Sequence, residues 1–270
     1  MSISRFVPFA SLVALLLLPA TAQAQATRTV QRTIDLDADG SVSVSTFSGA
    51  VDVTTWDRAS VEVAVRIEAT SQSSLDRTEI EFDGSGSRLD IEADFDGVRA
   101  SNWGRSTDVP ETYFTIQMPR QANLEAKVFS ATVSGVDLGG DLEIEAFSGD
   151  IDVQGIDGEL HIDVYSGDLT ATDVRGPVTY SSFSGDATVT VDDLADDWSF
   201  STFSGDATVS LAATAAFEVR ADTGMSGSLR ADGFDVQNLR TDDGYRGAIN
   251  GGGPRLAFTT FSGAFRLRAR

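Results

Sequence analysis

The sequence predicts an all-β protein: a parallel β-solenoid, or β-helix, of about 18–20-residue rungs with a less regular β-rich N-terminal cap. Three observations support this prediction. An aromatic-Ser-Gly tripeptide recurs along the chain, its copies are nearly evenly spaced, and the residues between copies alternate between apolar and polar. Short evenly spaced repeats are typical of solenoids, in which each unit buries its apolar side against its neighbours.

The first 24 residues are predicted to be a secretory signal peptide. Arg5 gives a positive start, residues 7–18 are apolar, and Ala22-Gln23-Ala24 offers a cleavage site flanked by small residues. This order is typical of an export signal, and the apolar stretch is short for a membrane span, although an uncleaved anchor is the alternative. We therefore expect export through the secretory pathway to the periplasm or the cell surface. We expect no transmembrane segment in the mature chain.

Residues 27–119 are expected to form the N-terminal cap, and residues 120–270 the solenoid that continues from it. The cap segment alternates in stretches such as residues 61–69 and 113–118, but its connections are longer, notably over residues 94–110. Such a cap would close one edge of the stack. Residues 265–270 place arginine at every outward position, which discourages pairing with another molecule, so they are predicted to form the opposite edge.

The repeat is most regular in the middle of the chain. Its copies are Phe47-Ser48-Gly49, Phe129-Ser130-Ala131, Phe147-Ser148-Gly149, Tyr165-Ser166-Gly167, Phe183-Ser184-Gly185, Phe203-Ser204-Gly205 and Phe261-Ser262-Gly263. The spacing is 18 residues three times in succession from Phe129 to Phe183, and 20 residues from there to Phe203. Even spacing of chemically similar corners favours stacked rungs, in which equivalent strands pair in parallel.

Two alternating stretches flank each tripeptide. Before the corner at Phe147, for example, Leu142 and Ile144 alternate with Glu143 and Glu145. Alternation of period two, with glycine at the joints, predicts a strand, a corner, a second strand and a turn in each unit. An antiparallel β-sandwich also has short alternating strands and is the competing architecture, but the near-constant spacing favours the solenoid.

The units over residues 140–211 resemble a known family. Their pattern Gly-x-Leu-x-Ile-x-x-Phe-Ser-Gly-Asp-Ile-x-Val, with Thr54-Thr55-Trp56-Asp57 and Ile116-Gln117-Met118-Pro119 before it, resembles the bacterial putative-adhesin β-repeat family of exported proteins. The resemblance covers nearly the whole mature chain. It implies a β-helical or β-solenoid domain with an adhesin-like role and no established enzymatic activity. One departure is that the residue before Ser-Gly is aromatic in almost every copy.

That departure defines the candidate binding site. If Leu142 and Ile144 face inward, Phe147 faces outward beside Glu145, and the equivalent rings of the other rungs line up with it. We call this set the aromatic column: Phe129, Phe147, Tyr165, Phe183 and Phe203. An exposed aromatic stripe usually marks a contact site, and rings beside carboxylates are typical of saccharide-binding faces. Alternatively, the corner turns the rings inward, or the rings only cover one another for stability.

The residue after Ser-Gly defines a second set, the aspartate column: Asp150, Asp168, Asp186 and Asp206. Carboxylate oxygens are the ligands that Ca²⁺ prefers, so a low-affinity Ca²⁺ ladder is the functional interpretation, and no other cofactor is expected. Aspartate is also a common turn residue, which accounts for the column without any metal. The serine between ring and aspartate is expected to turn inward.

Charge and composition exclude several classes of function. The chain has 41 acidic and 20 basic residues and a formal net charge of −21, so nucleic acid and anionic lipid are unfavourable partners. It has no cysteine, which excludes disulfides and thiol chemistry. The single histidine, His161, has no recognisable nucleophile or metal-ligand spacing around it and is predicted to lie on the surface. We predict no catalytic residues.

The function predicted from the sequence is a non-catalytic, adhesin-like binding module of the cell envelope. Its repetitive face would contact a saccharide, a surface polymer or a protein. A self-associating structural scaffold is the first alternative, with the aromatic column as its interface. A β-helical carbohydrate-active enzyme is the second, because paired carboxylates can cleave glycosidic bonds. The acidic residues are uniform along the repeats, however, whereas a catalytic site should break the pattern at one place.

Overall fold

The computed structural model describes residues 26–95, 109–224, 226–234, 240–241 and 244–270. The predicted signal peptide, residues 1–24, lies outside these residues. The described part contains nineteen strands and one helix of five residues, so the prediction of an all-β protein is confirmed. Most strand pairs are parallel, an arrangement compatible with the predicted β-solenoid.

The N-terminal part is organised around one long strand. Its elements are β1 (Ala26–Trp56), β2 (Ser60–Ala69), α1 (Gln72–Asp76), β3 (Thr78–Phe95), β4 (Glu111–Pro119) and β5 (Asn123–Val136). The first part of β1 pairs antiparallel with β2. The rest of β1 pairs in parallel with β3 and β4, and also with β5. Through β5, this long strand therefore connects the N-terminal sheet to the repeats.

The strands of the regular repeats stack in two parallel series. They are β6 (Leu142–Ser148), β7 (Ile151–Ile156), β8 (Leu160–Ser166), β9 (Leu169–Val174), β10 (Val178–Ser184), β11 (Ala187–Thr190), β12 (Trp198–Ser204) and β13 (Ala207–Leu211). The even-numbered strands pair in order after β5, and so do the odd-numbered ones. Leu142 pairs with Leu160, for example, and Leu160 with Val178. One even and one odd strand therefore make up each layer of the stack.

The C-terminal strands do not follow chain order. They are β14 (Phe217–Thr223), β15 (Ser228–Asp232), β16 (Arg240–Thr241), β17 (Gly244–Ile249), β18 (Arg255–Ser262) and β19 (Ala264–Ala269). β18 pairs in parallel with both β12 and β14, and β19 pairs in parallel with both β13 and β15. The layer of β18 and β19 therefore lies between the layer of β12 and β13 and that of β14 and β15, while β17 pairs antiparallel with β14.

The prediction that residues 265–270 form the edge of the stack is therefore wrong. β19 has a strand on each side, and two of its arginines have acidic partners in the preceding layer. Arg266 contacts Asp206 at 2.7 Å, and Arg270 contacts Asp192 at 2.7 Å. Two of the three outward arginines that suggested an unpaired edge instead pair with carboxylates of the neighbouring layer.

The interior of the stack combines large and small side chains within a layer, so that the layers fill a similar volume. Trp198 and Phe200 are buried on β12, and the β13 strand of the same layer contributes the small residue Ala207. In an earlier layer the leucine and isoleucine of β6 accompany Ile151 on β7. The indole N–H of Trp198 donates to the carbonyl oxygen of Gly176 at 3.0 Å, which satisfies its polar atom inside the core.

Candidate functional site

The aromatic column forms, and it is longer than predicted. Seven rings stack face to face with centroids 4.6 to 5.0 Å apart. In order they are Phe47, Phe129, Phe147, Tyr165, Phe183, Phe203 and Phe261, and the name aromatic column refers to all seven from here on. The rings follow the order of the layers rather than the chain, because Phe261 on β18 stacks on Phe203 at 5.0 Å.

The rings of the aromatic column point outward. Five of them are 44 to 48 % exposed, whereas Ala146 and Val164, which directly precede Phe147 and Tyr165, are buried. The interpretation in which the corner turns the rings inward is therefore wrong. Interplanar angles of 1 to 3° after Phe129 mean that each ring is covered on its faces by its neighbours, so solvent meets the ring edges.

Close packing between layers explains the glycine of the repeated corner. A Cβ at Gly149 would overlap the backbone carbonyl of Ala131, and a Cβ at Gly167 would overlap that of Gly149. Gly149 also has a φ of +136°, a backbone conformation that residues with a side chain rarely adopt. Ala131 replaces glycine where β5 runs through the corner as one continuous strand.

The serine of the corner does not turn inward as expected. Ser166, Ser184 and Ser204 are exposed beside the rings, at the last residues of their strands. The strand parity that predicts the ring's direction does not extend past the strand end. Serine hydroxyls therefore line the same outer surface as the aromatic column.

A groove of about 700 Å³ lies at the N-terminal end of the aromatic column. The end of β3 forms one side through Phe95, and Phe129, Phe147 and Tyr165 of the column form part of its lining. Charged side chains also line it, among them Lys127. The groove therefore offers apolar ring edges and charged groups to the same ligand.

Acidic residues and one lysine flank the rings near this groove. The Lys127 ammonium lies 2.6 Å from Glu125 and 3.6 Å from Glu145. The hydrogen bond from Lys127 lowers the pKa of Glu125; burial opposes this, and the Ser43 hydroxyl adds to it. Oxygens of Glu125, Glu143 and Glu145 lie within 4.8 Å of one another, the one such acidic group among the described residues. Lys127 already supplies positive charge to two of these carboxylates.

The aspartate column is part of a hydrogen-bonded ladder between layers. The backbone N–H of Asp168 donates to Asp150 at 3.2 Å, that of Asp186 to Asp168 at 2.9 Å, and that of Asp206 to Asp186 at 2.8 Å. The last carboxylate accepts from the Ala264 N–H. One oxygen of each aspartate thus has a backbone partner, which gives the column a structural role. The Ca²⁺ ladder stays a prediction.

His161 lies at an outward position of β8, half-buried. Its Nε2 is 3.2 Å from Asp163 Oδ2.

Sequence reasoning missed Phe47 and Phe261 as members of the aromatic column, although both carry the Phe-Ser-Gly tripeptide. Both lie far along the chain from the regular repeats, so the spacing did not predict that they belong to the column.

These features define the class of protein: an all-β chain of mostly parallel stacked strands with a row of aromatic rings on its outer surface. The chain belongs to the Toastrack DUF4097 family, whose model matches residues 24–267. The resemblance to an adhesin-like domain family predicted from the sequence is thereby confirmed. Within the described residues, no helix has the length and apolar character needed to cross a membrane.

Several solved structures are similar to this chain. A putative cell adhesion protein from Clostridium sporogenes is 10 % identical, with 91 % of this chain and 100 % of that chain covered and a TM-score of 0.40. A putative adhesin from Bacteroides fragilis is 12 % identical, with 89 % and 97 % covered and a TM-score of 0.47. A putative lipid binding protein from Parabacteroides distasonis is 11 % identical, with 88 % and 96 % covered and a TM-score of 0.31. No curated protein matches the sequence.

Proposed function

We propose that the chain is a non-catalytic, adhesin-like binding module of the cell envelope that holds a partner along the aromatic column. In this proposal the predicted signal peptide exports it, and the stack acts as a rigid β-solenoid with rungs of about 18–20 residues. The observation that carries the proposal is the unbroken row of stacked rings, five of which are exposed. Soluble proteins rarely expose contiguous apolar surface unless it contacts something.

The dimensions of the aromatic column favour an extended partner. Six centroid spacings of 4.6 to 5.0 Å give a row roughly 29 Å long and one ring wide. A compact small molecule would touch only two or three rings. A polysaccharide chain, another surface polymer or an extended protein segment could contact many rings at once, so that weak contacts add up along the row.

The orientation of the rings decides which contacts are available. A sugar that stacks on an aromatic face would find open faces only at the two ends of the column, because the neighbouring rings cover the others. Along its length the column offers ring edges, whose hydrogens carry partial positive charge. Edges attract oxygen atoms and the faces of other rings. Saccharide hydroxyls, backbone carbonyls and aromatic side chains therefore all suit this surface.

The charge around the column further limits which partners can bind to it. Residues 123–216 contain eighteen acidic residues against Lys127 and Arg175. A polyanion would be repelled along most of the row, since like charges raise the free energy of the complex. Neutral saccharides, cationic polymers and protein segments without excess negative charge are the partners that this surface favours.

Self-association is the second candidate function, and the exposed apolar surface of the rings favours it. Two aromatic columns placed side by side could cover one another's edges, which would remove apolar surface from water on both copies. Acidic residues on both copies would oppose this contact at low salt. An association that strengthens with ionic strength would therefore distinguish the self-associating scaffold from binding to a neutral polymer.

The experiment replaces Phe147, Tyr165 and Phe183 together with serine. The control carries Phe147→Tyr, Tyr165→Phe and Phe183→Tyr, which keeps every ring, and circular dichroism checks that both variants fold. A glycan array and binding to isolated envelope polymers measure partner contact, and sedimentation velocity measures self-association. We expect the serine variant to lose binding or assembly and the control to keep it. Unchanged binding and unchanged oligomeric state in the serine variant would contradict both proposals.

A further inference from the structure

The last fifth of the chain reverses the charge of the rest. Residues 217–270 contain eight arginines and six acidic residues, in a chain whose net charge is −21. These residues supply β14 to β19, so the reversal lies at one end of the stack. The binding surface proposed above repels anions along most of its length, whereas this end does not.

Three of these arginines meet on the outer face of β14, β17 and β18. Arg220 on β14 lies directly opposite Arg246 in the antiparallel pair with β17. Arg255 on β18 lies opposite Glu218 in the parallel pair with β14. All three arginine side chains are exposed. Together with Gly247 and Ala248, Arg220, Arg246, Arg255 and Glu218 line a depression of about 360 Å³.

Within the described residues, no ion pair neutralises Arg220, Arg246 or Arg255. On the neighbouring face Arg266 is paired with Asp206 and Arg270 with Asp192. Like charges directly opposite each other on adjacent strands destabilise a sheet. The pair of Arg220 and Arg246 therefore carries a cost that an anion between the two guanidinium groups would remove.

We infer that Arg220, Arg246 and Arg255 form a binding site for an oxyanion, a carboxylate or a phosphate group. Guanidinium groups present planar forks of N–H donors that match both anions, often with two hydrogen bonds each. Glycine and alanine at positions 247 and 248 leave the space into which the anion fits. Glu218 at the rim accepts a hydrogen bond from a hydroxyl group beside the anion, so a sugar acid or a sugar phosphate suits the site as a whole.

The test compares phosphate with chloride at equal ionic strength on the mature chain. The site variant is Arg220→Gln with Arg246→Gln. The matched control is Arg230→Gln with Arg268→Gln, which removes the same charge from β15 and β19, outside the depression. Sodium phosphate and sodium galacturonate are the two probes, and they distinguish a phosphate source from a carboxylate source. Isothermal titration calorimetry measures binding directly, and thermal unfolding measures its effect on stability.

We expect at least one probe to raise the melting temperature of the wild type and of the control by roughly 2–4 °C, at a concentration about five times its dissociation constant. The site variant should show no such rise. In chloride alone the single variant Arg246→Gln should be at least as stable as the wild type, because the opposed pair with Arg220 is gone. Equal effects of chloride and both probes, or the same rise in the site variant, would overturn the inference. Neither result depends on the partner of the aromatic column.

Discussion

Replacing Gly167 with alanine should destabilise the protein by about 3 kcal/mol, because the adjacent layer leaves no space for a Cβ at that corner. The new Cβ would overlap the carbonyl oxygen of Gly149, and the layer would have to retreat by roughly 1 Å to reach an acceptable contact. That movement would lengthen the hydrogen bond from the Asp168 N–H to Asp150, which is already 3.2 Å long. A loss of this size lowers the melting temperature by roughly 6–12 °C.

The matched control is Gly86→Ala. Gly86 has a φ of +71°, and a Cβ there meets nothing within 4 Å, so alanine costs only the left-handed backbone, about 1–2 kcal/mol. Gly167 also has a positive φ, +158°, so alanine has a backbone cost at both sites and the overlap with the adjacent layer is what separates them. Urea unfolding followed by circular dichroism gives both losses from the midpoints at constant slope. The reasoning is refuted if Gly167→Ala costs no more than Gly86→Ala.

Three further predictions follow from the core, the ladder and the metal hypothesis. Ala207→Leu should destabilise by about 1–3 kcal/mol in thermal unfolding, because aromatic side chains already fill its layer; a neutral result would contradict the exchange of volume within layers. Burial raises the pKa of Asp206, but hydrogen bonds from the Ala264 N–H and from Arg266 outweigh it and hold that pKa below its usual value. Its stabilisation is therefore complete above the usual value of about 4 and disappears as pH falls through the folded-state pKa. Asp206→Asn should thus lower the melting temperature at pH 7, and its effect should shrink as the pH falls through that lowered pKa. If the aspartate column binds Ca²⁺, millimolar calcium chloride should raise the melting temperature relative to EDTA, and an unchanged melting temperature would count against the ladder.

Strand parity was sufficient to predict the direction of the rings. Leu142 and Ile144 are buried, β6 continues without interruption to Ser148, and Phe147 therefore faces outward. The same alternation did not predict the direction of the serine that follows the ring, because the strand ends there and the backbone turns at glycine. A pattern of period two predicts side-chain direction only while the chain stays extended.

The order of the layers could not be predicted from spacing. Phe261-Ser262-Gly263 has the same tripeptide as the regular repeats, so its sequence suits any level of the stack. Its layer follows that of Phe203 although 58 residues separate Thr202 from its hydrogen-bond partner Thr260. Periodicity indicates neighbours only where the chain completes one layer and begins the next. The unpaired arginines of β14, β17 and β18 were missed for the same reason, since their meeting depends on this long-range pairing.

The position of β18 and β19 has a consequence for how the protein assembles. A stack in chain order can grow one layer at a time, each new layer adding to the one just completed. Here the layer of β14 and β15 cannot join the one before it in the chain until residues 255–269 have arrived between them. Folding at this end must therefore bring together three segments at once. We expect this end of the stack to form as one cooperative unit, later than the middle.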